Sequence, residues 1–216
     1  MSGPLRYRRT VDIRELAVPD TYAVDLAPHG DSRGRFVEWY RADVLEQTLG
    51  YGLTLAQANH SVSARGALRG VHFSLVPPGQ AKYVYCPSGR VLDVVVDIRV
   101  GSPTFGVHDS VLLDSEQPRA VYLSEGIGHA FVSLTPATSV AYLVSSAYAP
   151  EREFGIDPMD PDLGLPWPAD LEFELSAKDR TAPTLAQARE RGLLPTMEQC
   201  AARYAELRNL APAGAR

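Results

Sequence analysis

At 216 residues, with 45% hydrophobic and 22% charged side chains and a formal net charge of −5, the chain has the composition of a globular protein with an ordinary core. That balance excludes a broad basic surface holding nucleic acid by its phosphates, and no apolar run approaches the roughly 20 residues of a membrane-spanning helix. The two cysteines, Cys86 and Cys200, lie far apart and follow no apolar leader, which argues against a disulfide framework and for a cytoplasmic protein.

In chain order, residues 11–150 read as short apolar runs broken by Gly, Pro, Asp and Ser about every ten residues, the signature of a sandwich or barrel rather than of βαβ units. Arg41 to Thr48 interrupts them as a short helix ahead of Gly50-Tyr51-Gly52. Lys82 to Cys86, the turn Pro87-Ser88-Gly89-Arg90 and Val91 to Arg99 read as a hairpin. In its second strand Leu92, Val94, Val96 and Ile98 alternate with Val91, Asp93, Val95 and Asp97, so the carboxylate-bearing face is expected to look into solvent or a wet cavity. "RVGSPTFGVHDSVLL" adds a loop and a strand, "RAVYLSEGIGHAFVSL" a strand, turn and strand, and "TSVAYLVSSAYAP" a last core strand, giving the roughly eight to ten strands of a jelly roll. Beyond Pro150, "DPMDPDLGLPWP" is irregular. Thr184 onward turns helical with Leu185 and Ala188 on one face, and Thr196 caps a second helix, Met197 to Leu210, with Gln199 closing a capping box. Residues 211–216 read as a frayed tail. The expectation is one all-β domain over 1–216, with a barrel core over 11–150 and a loop-and-helix extension over 151–216.

Five histidines are candidates for chemistry. His29 in "APHGD" and His108 in "GVHDS" sit in turn-like polar surroundings and are set aside. A barrel metal site commonly uses a His-x-His pair, but here the sequence is Val71-His72-Phe73, which argues against a metal. His72 stands mid-strand among apolar residues, Lys82 follows across a Pro-Pro-Gly turn, and Tyr142 lies in the apolar run "VAYLVS". Each has an ordinary alternative, Tyr142 as a core aromatic and Lys82 as a snorkelling edge residue. Together they are a base, a cation and a proton donor, the parts needed to remove a proton beside a carbonyl, hold the enolate and return the proton. Only Lys82 and Lys178 are lysines against nineteen arginines, so a retained lysine points slightly more than an arginine does to a need for an ammonium. Arg33 in "DSRGRFVEWY" and Arg69, three residues before His72, are forks suited to a diphosphate, with the solvated loop arginine as the commoner alternative, and Gly70 permits close approach of a ligand.

The segments "DSRGRFVE", "QANHSVSARGALRGVHF", "PPGQAKYVYCPSGRVLDVVVDIRVGSPTFG", "YLSEGIGHAF", "YLVSSAYAPERE" and "SAKDRTAP" occur in that order. In register from about residue 11 to about 195 they resemble the dTDP-4-dehydrorhamnose 3,5-epimerase family of dTDP-4-keto-6-deoxyglucose epimerases, and most of all its antibiotic deoxysugar branch, that of the novobiocin-pathway epimerase. The resemblance implies a metal-free, cupin-type jelly roll that needs no cofactor, pairs as a homodimer by exchanging N-terminal strands, and acts on a 4-keto-6-deoxy sugar carried on dTDP. It implies His72 as the general base, Asp179 as the carboxylate that orients and charges it, Lys82 as the group stabilising the enolate, and Tyr142 as the acid on the opposite face. It further implies nucleotide contacts from Arg33 and Glu38, polar substrate contacts from Gln57 and Asn59, and a diphosphate contact from Arg69. His129 is then a sugar contact, Tyr148 the aromatic stacking on thymine, and Glu153 and Lys178 contacts near the nucleotide and sugar. Ser74 departs from the family's usual Gln, and members sharing this catalytic set invert C3, C5 or both. A mono-epimerase and a non-catalytic nucleotide-sugar-binding jelly roll are therefore the alternatives.

Overall fold

The computed structural model describes residues 11–211, so the tail expected over 211–216 lies, apart from Ala211, outside the described residues. The first strands are β1 (Asp12–Glu15) and β2 (Thr21–Asp25), followed by the ribbon strands β3 (Pro28–Asp31) and β4 (Gly34–Val37) and by helix α1 (Ala42–Leu49). Then come β5 (Gln57–Ser63), β6 (Leu68–Ser74), β7 (Lys82–Ser88), β8 (Arg90–Asp97) and β9 (His108–Asp114). The barrel is completed by β10 (Arg119–Leu123), β11 (Ile127–Ser133), β12 (Thr138–Val144) and β13 (Glu153–Gly155), and the extension carries α2 (Ala177–Arg180), α3 (Leu185–Glu190) and α4 (Met197–Leu210). The surplus over the expected strand number consists of β1, β3, β4 and β13, each of three or four residues.

Two antiparallel sheets face each other, as the jelly-roll reading requires. One has the order β1-β2-β10-β7-β12-β5 and the other β13-β6-β11-β8-β9, while β3 and β4 pair apart from both. Between the sheets lies a core that includes Val84 and Cys86 of β7, Val91 and Val95 of β8, Val121 and Leu123 of β10, and Val140 of β12. The outer face of the first sheet is covered by α1 and its flanks, with Leu45, Leu49 and Tyr51 packing on Tyr83 and Tyr122. The outer face of the second sheet is covered by the extension, where Ile156, Leu163, Leu185, Ala188 and Leu194 meet Val71, Phe73, Val94 and Val96.

Two expectations from the sequence are corrected here. The segments read as a hairpin, Lys82 to Cys86 and Val91 to Arg99, do not pair: β7 lies between β10 and β12, and β8 between β11 and β9. The turn between them is a corner that carries the chain from one sheet to the other, so β7 and β8 lie in opposite sheets. At the corner Gly89 has φ +83°, and a Cβ there would sit 2.6 Å from Thr135 Oγ1. Alternation reveals a strand but not its neighbour, which is why the adjacency misled. Of the two places open to the carboxylate face of β8, solvent or a wet cavity, the structure favours the interior. Asp97 is fully buried and accepts from Arg99, Ser102 and Thr104, and Asp93 is buried on the barrel interior. His29 and His108 lie on strands β3 and β9, not in turns.

The helices follow their sequence signals. α1 ends on Gly50 in the left-handed region, φ 78°. Both Thr184 and Thr196 accept from the backbone N–H three residues on, while Gln187 and Gln199 close reciprocal capping boxes. α4 is anchored by Cys200 and Tyr204, which pack on Val76 near the start of the loop following β6.

Candidate active site

Strand parity decides which side chains enter the barrel. On β6, Val71 and Phe73 pack outward beneath the extension, so His72 between them points inward. On β11, Ala130 packs outward while Ile127 and Phe131 belong to the inner core, which places His129 inside. On β8, Val91 and Val95 are inner residues, and Asp93 between them shares their face. From the opposite sheet, Lys82 shares the inner face of β7 with Val84 and Cys86, and Tyr142 that of β12 with Val140. The interior is thus walled by histidines and a carboxylate on one side and by a lysine and a tyrosine on the other.

A cleft of about 570 Å³ opens over this interior and is lined by seven of the residues singled out in the sequence: Arg69, His72, Tyr142, Tyr148, Glu153, Lys178 and Asp179. His72 Nε2 lies 2.7 Å from Asp179 Oδ1, and the other carboxylate oxygen, Oδ2, accepts from Ser176 Oγ at 2.8 Å. Asp179 is held by the single turn of α2. Ser176 is its N-cap and accepts from the Asp179 backbone N–H, so one short element both positions and hydrogen-bonds the carboxylate. Burial alone would raise the Asp179 carboxyl, but the hydrogen bond and charge of His72, with donors from Ser176 and the Gly70 backbone, hold it below the usual carboxylate range. A carboxylate only accepts, so the shared proton sits on His72 Nε2 and leaves Nδ1 as the basic nitrogen.

The backbone beneath His72 depends on glycine. Gly70 has φ +113°, and a Cβ there would meet His129 O at 2.4 Å and Ala130 Cβ at 2.7 Å. β6 therefore presses against β11 at this point, where the pairing register also shifts and sets His72 directly opposite His129.

Tyr142 pairs with Asn59 on β5 and with Val84 on β7. Burial and the nearby Glu153 raise its pKa against the lowering effect of Arg69, so the phenol keeps its proton at neutral pH. Lys82, partly buried at the start of β7, is pushed below the ordinary ammonium range by burial, with Glu153 and Asp93 opposing the shift. His129 Nε2 lies 2.8 Å from Asp93 Oδ2, in a second buried histidine–carboxylate pair.

The remaining residues fall into two groups. Gln57 Nε2 donates to Asn59 Oδ1 at 2.6 Å and Gln57 Oε1 accepts from the Tyr148 backbone, tying the loop after β12 to β5, but Gln57 and Asn59, like Lys82 and His129, do not themselves line the cleft. Lys178 Nζ donates to the Glu153 carbonyl at 3.2 Å, and Arg69 Nε to Ser63 Oγ. Arg33 and Glu38 are not brought to this cleft. Arg33 is 88% exposed at the tip of the β3–β4 ribbon, paired with Asp31, and Glu38 borders a small depression with Arg41 and Tyr83. Sequence reasoning missed Ser176, although Ser-x-x-Asp just ahead of "AKDR" is a capping signal, and noticed Asp93 only as part of a strand face. Among the described residues no group of three His, Cys, Asp or Glu side chains is arranged to hold a metal ion.

Comparison with known proteins bears on this geometry. A family model described as dTDP-4-dehydrorhamnose 3,5-epimerase matches residues 15–187. The chain is 51% identical over 183 residues to a dTDP-4-dehydro-6-deoxyglucose 3-epimerase of a Streptomyces species, covering 85% of this chain and 93% of that protein. It is 50% identical over 190 residues to a dTDP-4-dehydrorhamnose 3,5-epimerase of Streptomyces griseus, covering 88% and 94%. The crystal structure of ChmJ, a 3'-monoepimerase from Streptomyces bikiniensis in complex with dTDP-quinovose, matches with a TM-score of 0.88 at 48% identity over 90% of this chain and 98% of that one.

Proposed function

The chain belongs to the dTDP-4-dehydrorhamnose 3,5-epimerase family, and from that premise we propose that its cleft takes dTDP-4-keto-6-deoxy-D-glucose and that His72 and Tyr142 exchange protons with opposite faces of the sugar. The enzyme is an isomerase, an epimerase of dTDP-linked deoxysugars. The observation that carries the assignment of roles is the His72–Asp179 pair and Tyr142 lining one cleft from opposing sheets.

In this reading the C4 ketone acidifies the hydrogens at C3 and C5. His72 Nδ1 takes the proton, the C–H electron pair moves into the ketone, and the resulting enolate oxygen is met by the Lys82 ammonium. A depressed ammonium pKa brings that donor closer to the enolate it serves than an ordinary lysine would be. Tyr142 then delivers its hydroxyl proton to carbon from the other face, and solvent restores the phenol and takes the proton from His72. The buried Asp179 supports the imidazolium that forms in between. Arg69 suits the diphosphate, with Glu153 and Lys178 beside the sugar, Gln57 and Asn59 on the inner side of β5, and the exposed ring of Tyr148 free to stack on thymine.

Incubation with the keto sugar in D2O tests this directly. The wild type should place deuterium at C3, at C5 or at both. His72→Ala should abolish incorporation, whereas Tyr142→Phe should retain exchange and lose inversion. No exchange by the wild type, or identical behaviour of the two variants, defeats the assignment. Inversion at C3 alone is the second reading, favoured by the 3-epimerase relative and the 3'-monoepimerase structure, and the same spectra separate it from double inversion.

The chain is also read as a single domain and as one half of a homodimer. For the domain, the packing of Ile156 and Leu163 on strands of the barrel is the support. For the dimer, Arg33, Glu38 and the 64% exposed Phe36 stand on or beside an outlying ribbon, away from their own chain's cleft, which suits delivery to a partner's. Two buried, unpaired cysteines fit a reducing cytoplasm. No helix among the described residues is long and apolar enough to cross a membrane.

A further inference from the structure

Neither the family's name nor the relatives' assigns anything to Asp93, yet its surroundings are unusual. It is 1% exposed in the middle of β8, an element whose neighbouring inner positions are Val91 and Val95. Burying a carboxylate in such company is costly unless it is paired. One of its oxygens, Oδ2, is paired with His129 Nε2 at 2.8 Å, and the other, Oδ1, is buried and has no hydrogen-bond partner among the described residues. His129 is in turn the cross-strand partner of His72, so two histidine–carboxylate pairs lie side by side on one wall of the barrel.

The two pairs have the same polarity. In each, a carboxylate that can only accept lies on Nε2, which fixes the proton there and leaves Nδ1 with its lone pair. The hydrogen bond of the His129 side chain within the described residues is the one from Nε2 to Asp93. Resting on the reading of this cleft as the sugar site, we propose that Asp93 is a positioning residue: it locks His129 in the Nε2–H tautomer, so that Nδ1 is the acceptor offered to a hydroxyl of the bound sugar. The sugar is then aligned by one histidine and deprotonated by the other. Without Asp93 the ring can rotate or exchange tautomers and present an N–H, from which a hydroxyl must accept instead of donating and from which a ketone can accept equally well, loosening the registration of C3 and C5 against His72.

Asp93→Asn, His129→Gln and the double variant form the test, read by deuterium incorporation at saturating keto sugar and by ring ¹⁵N spectra of histidine-labelled protein. Asp93→Asn should slow exchange by at least about tenfold, and the double variant should match His129→Gln within about twofold, because Asp93 acts through that ring. The His129 ring should show Nε2–H in the wild type and lose that preference in Asp93→Asn, a change that a purely structural role would not produce. If Asp93→Asn fails to fold, the wild type still decides: its His129 Nδ1 resonance must move when dTDP-quinovose, which carries a hydroxyl in place of the ketone, is added. Additive losses in a folded double variant, an Nδ1–H tautomer in the wild type, or an Nδ1 resonance unmoved by ligand overturns the proposal. His72→Ala keeps the two readings apart. Exchange surviving in that variant removes the base assignment, whereas its loss together with an additive Asp93–His129 cycle removes only the role of Asp93.

Discussion

At the scale of single residues, what the sequence reveals is misfit. His72, Lys82 and Tyr142 stood out because each is a polar or titratable group in an otherwise apolar run, and all three do point into the barrel interior. Asp179 stood out only through resemblance, because it lies 107 residues from the ring it touches and in a polar turn where a carboxylate is unremarkable. Asp93 was visible only as part of a face left open between solvent and a wet cavity, because alternation separates the two faces of β8 without saying which of them is the interior. The depressed carboxyl of Asp179 also has a thermodynamic signature. Its stabilising contribution is fully present above the unfolded-state value of about 4 and is lost as pH falls through the lower folded-state value. Below about pH 4 the wild type should therefore lose stability more steeply than Asp179→Asn, as read from denaturant midpoints across an acid series. Parallel curves for the two proteins would mean that the His72 and Ser176 contacts contribute nothing to the fold. The same substitution removes the partner of the histidine proposed as the base, so its activity should fall by roughly a hundredfold or more even where it is fully folded.

At the scale of elements, periodicity and punctuation located the strands and the capped helices but not their partners. α1, α3 and α4 were legible because Gly50, Thr184 and Thr196 mark their ends by known hydrogen-bond chemistry. β13 and α2 were not, since three or four residues are too few to display a period. The β7–β8 error has the same origin, for a Gly-containing turn serves a hairpin and a sheet-to-sheet corner equally well. Gly70 is the element-level position on which most depends. Gly70→Ala combines a φ of +113° with a Cβ driven to within 2.4 Å of the His129 carbonyl oxygen, and should cost more than about 2 kcal/mol in denaturant unfolding. A variant with wild-type stability would show that β6 can move away from β11 freely. Because both histidine pairs are set by this contact, any Gly70→Ala protein that does fold should also be impaired in exchange.

For the whole molecule, the architecture followed from the spacing of turns along residues 11–150 and the helical texture after Thr184, whereas the arrangement of the nucleotide contacts did not. Arg33 and Glu38 belong to the resemblance but lie away from their own cleft, and a linear sequence carries no mark of which subunit a residue serves. If the clefts are shared across a homodimer, Arg33→Ala and His72→Ala place their defects in different sites. Co-expression of the two tagged variants should yield mixed dimers with one intact cleft and one doubly damaged, and deuterium exchange should reappear in a preparation made from two impaired parents. No recovery in verified mixed dimers means that each subunit completes its own site. The order of strands in the sheets bears also on how the enzyme comes into being. β2 finds its neighbour in β10, with Arg119 meeting Asp25 across 94 residues, and His72 waits a further 107 for Asp179. At about 5–20 residues per second, ribosomes leave the strand that carries His72 without its carboxylate for roughly 5–20 s. High contact order of this kind makes for slow folding and prolonged exposure of unpaired strand edges, and that exposure falls in the interval when the half carrying His72 has been made and the half carrying Asp179 has not.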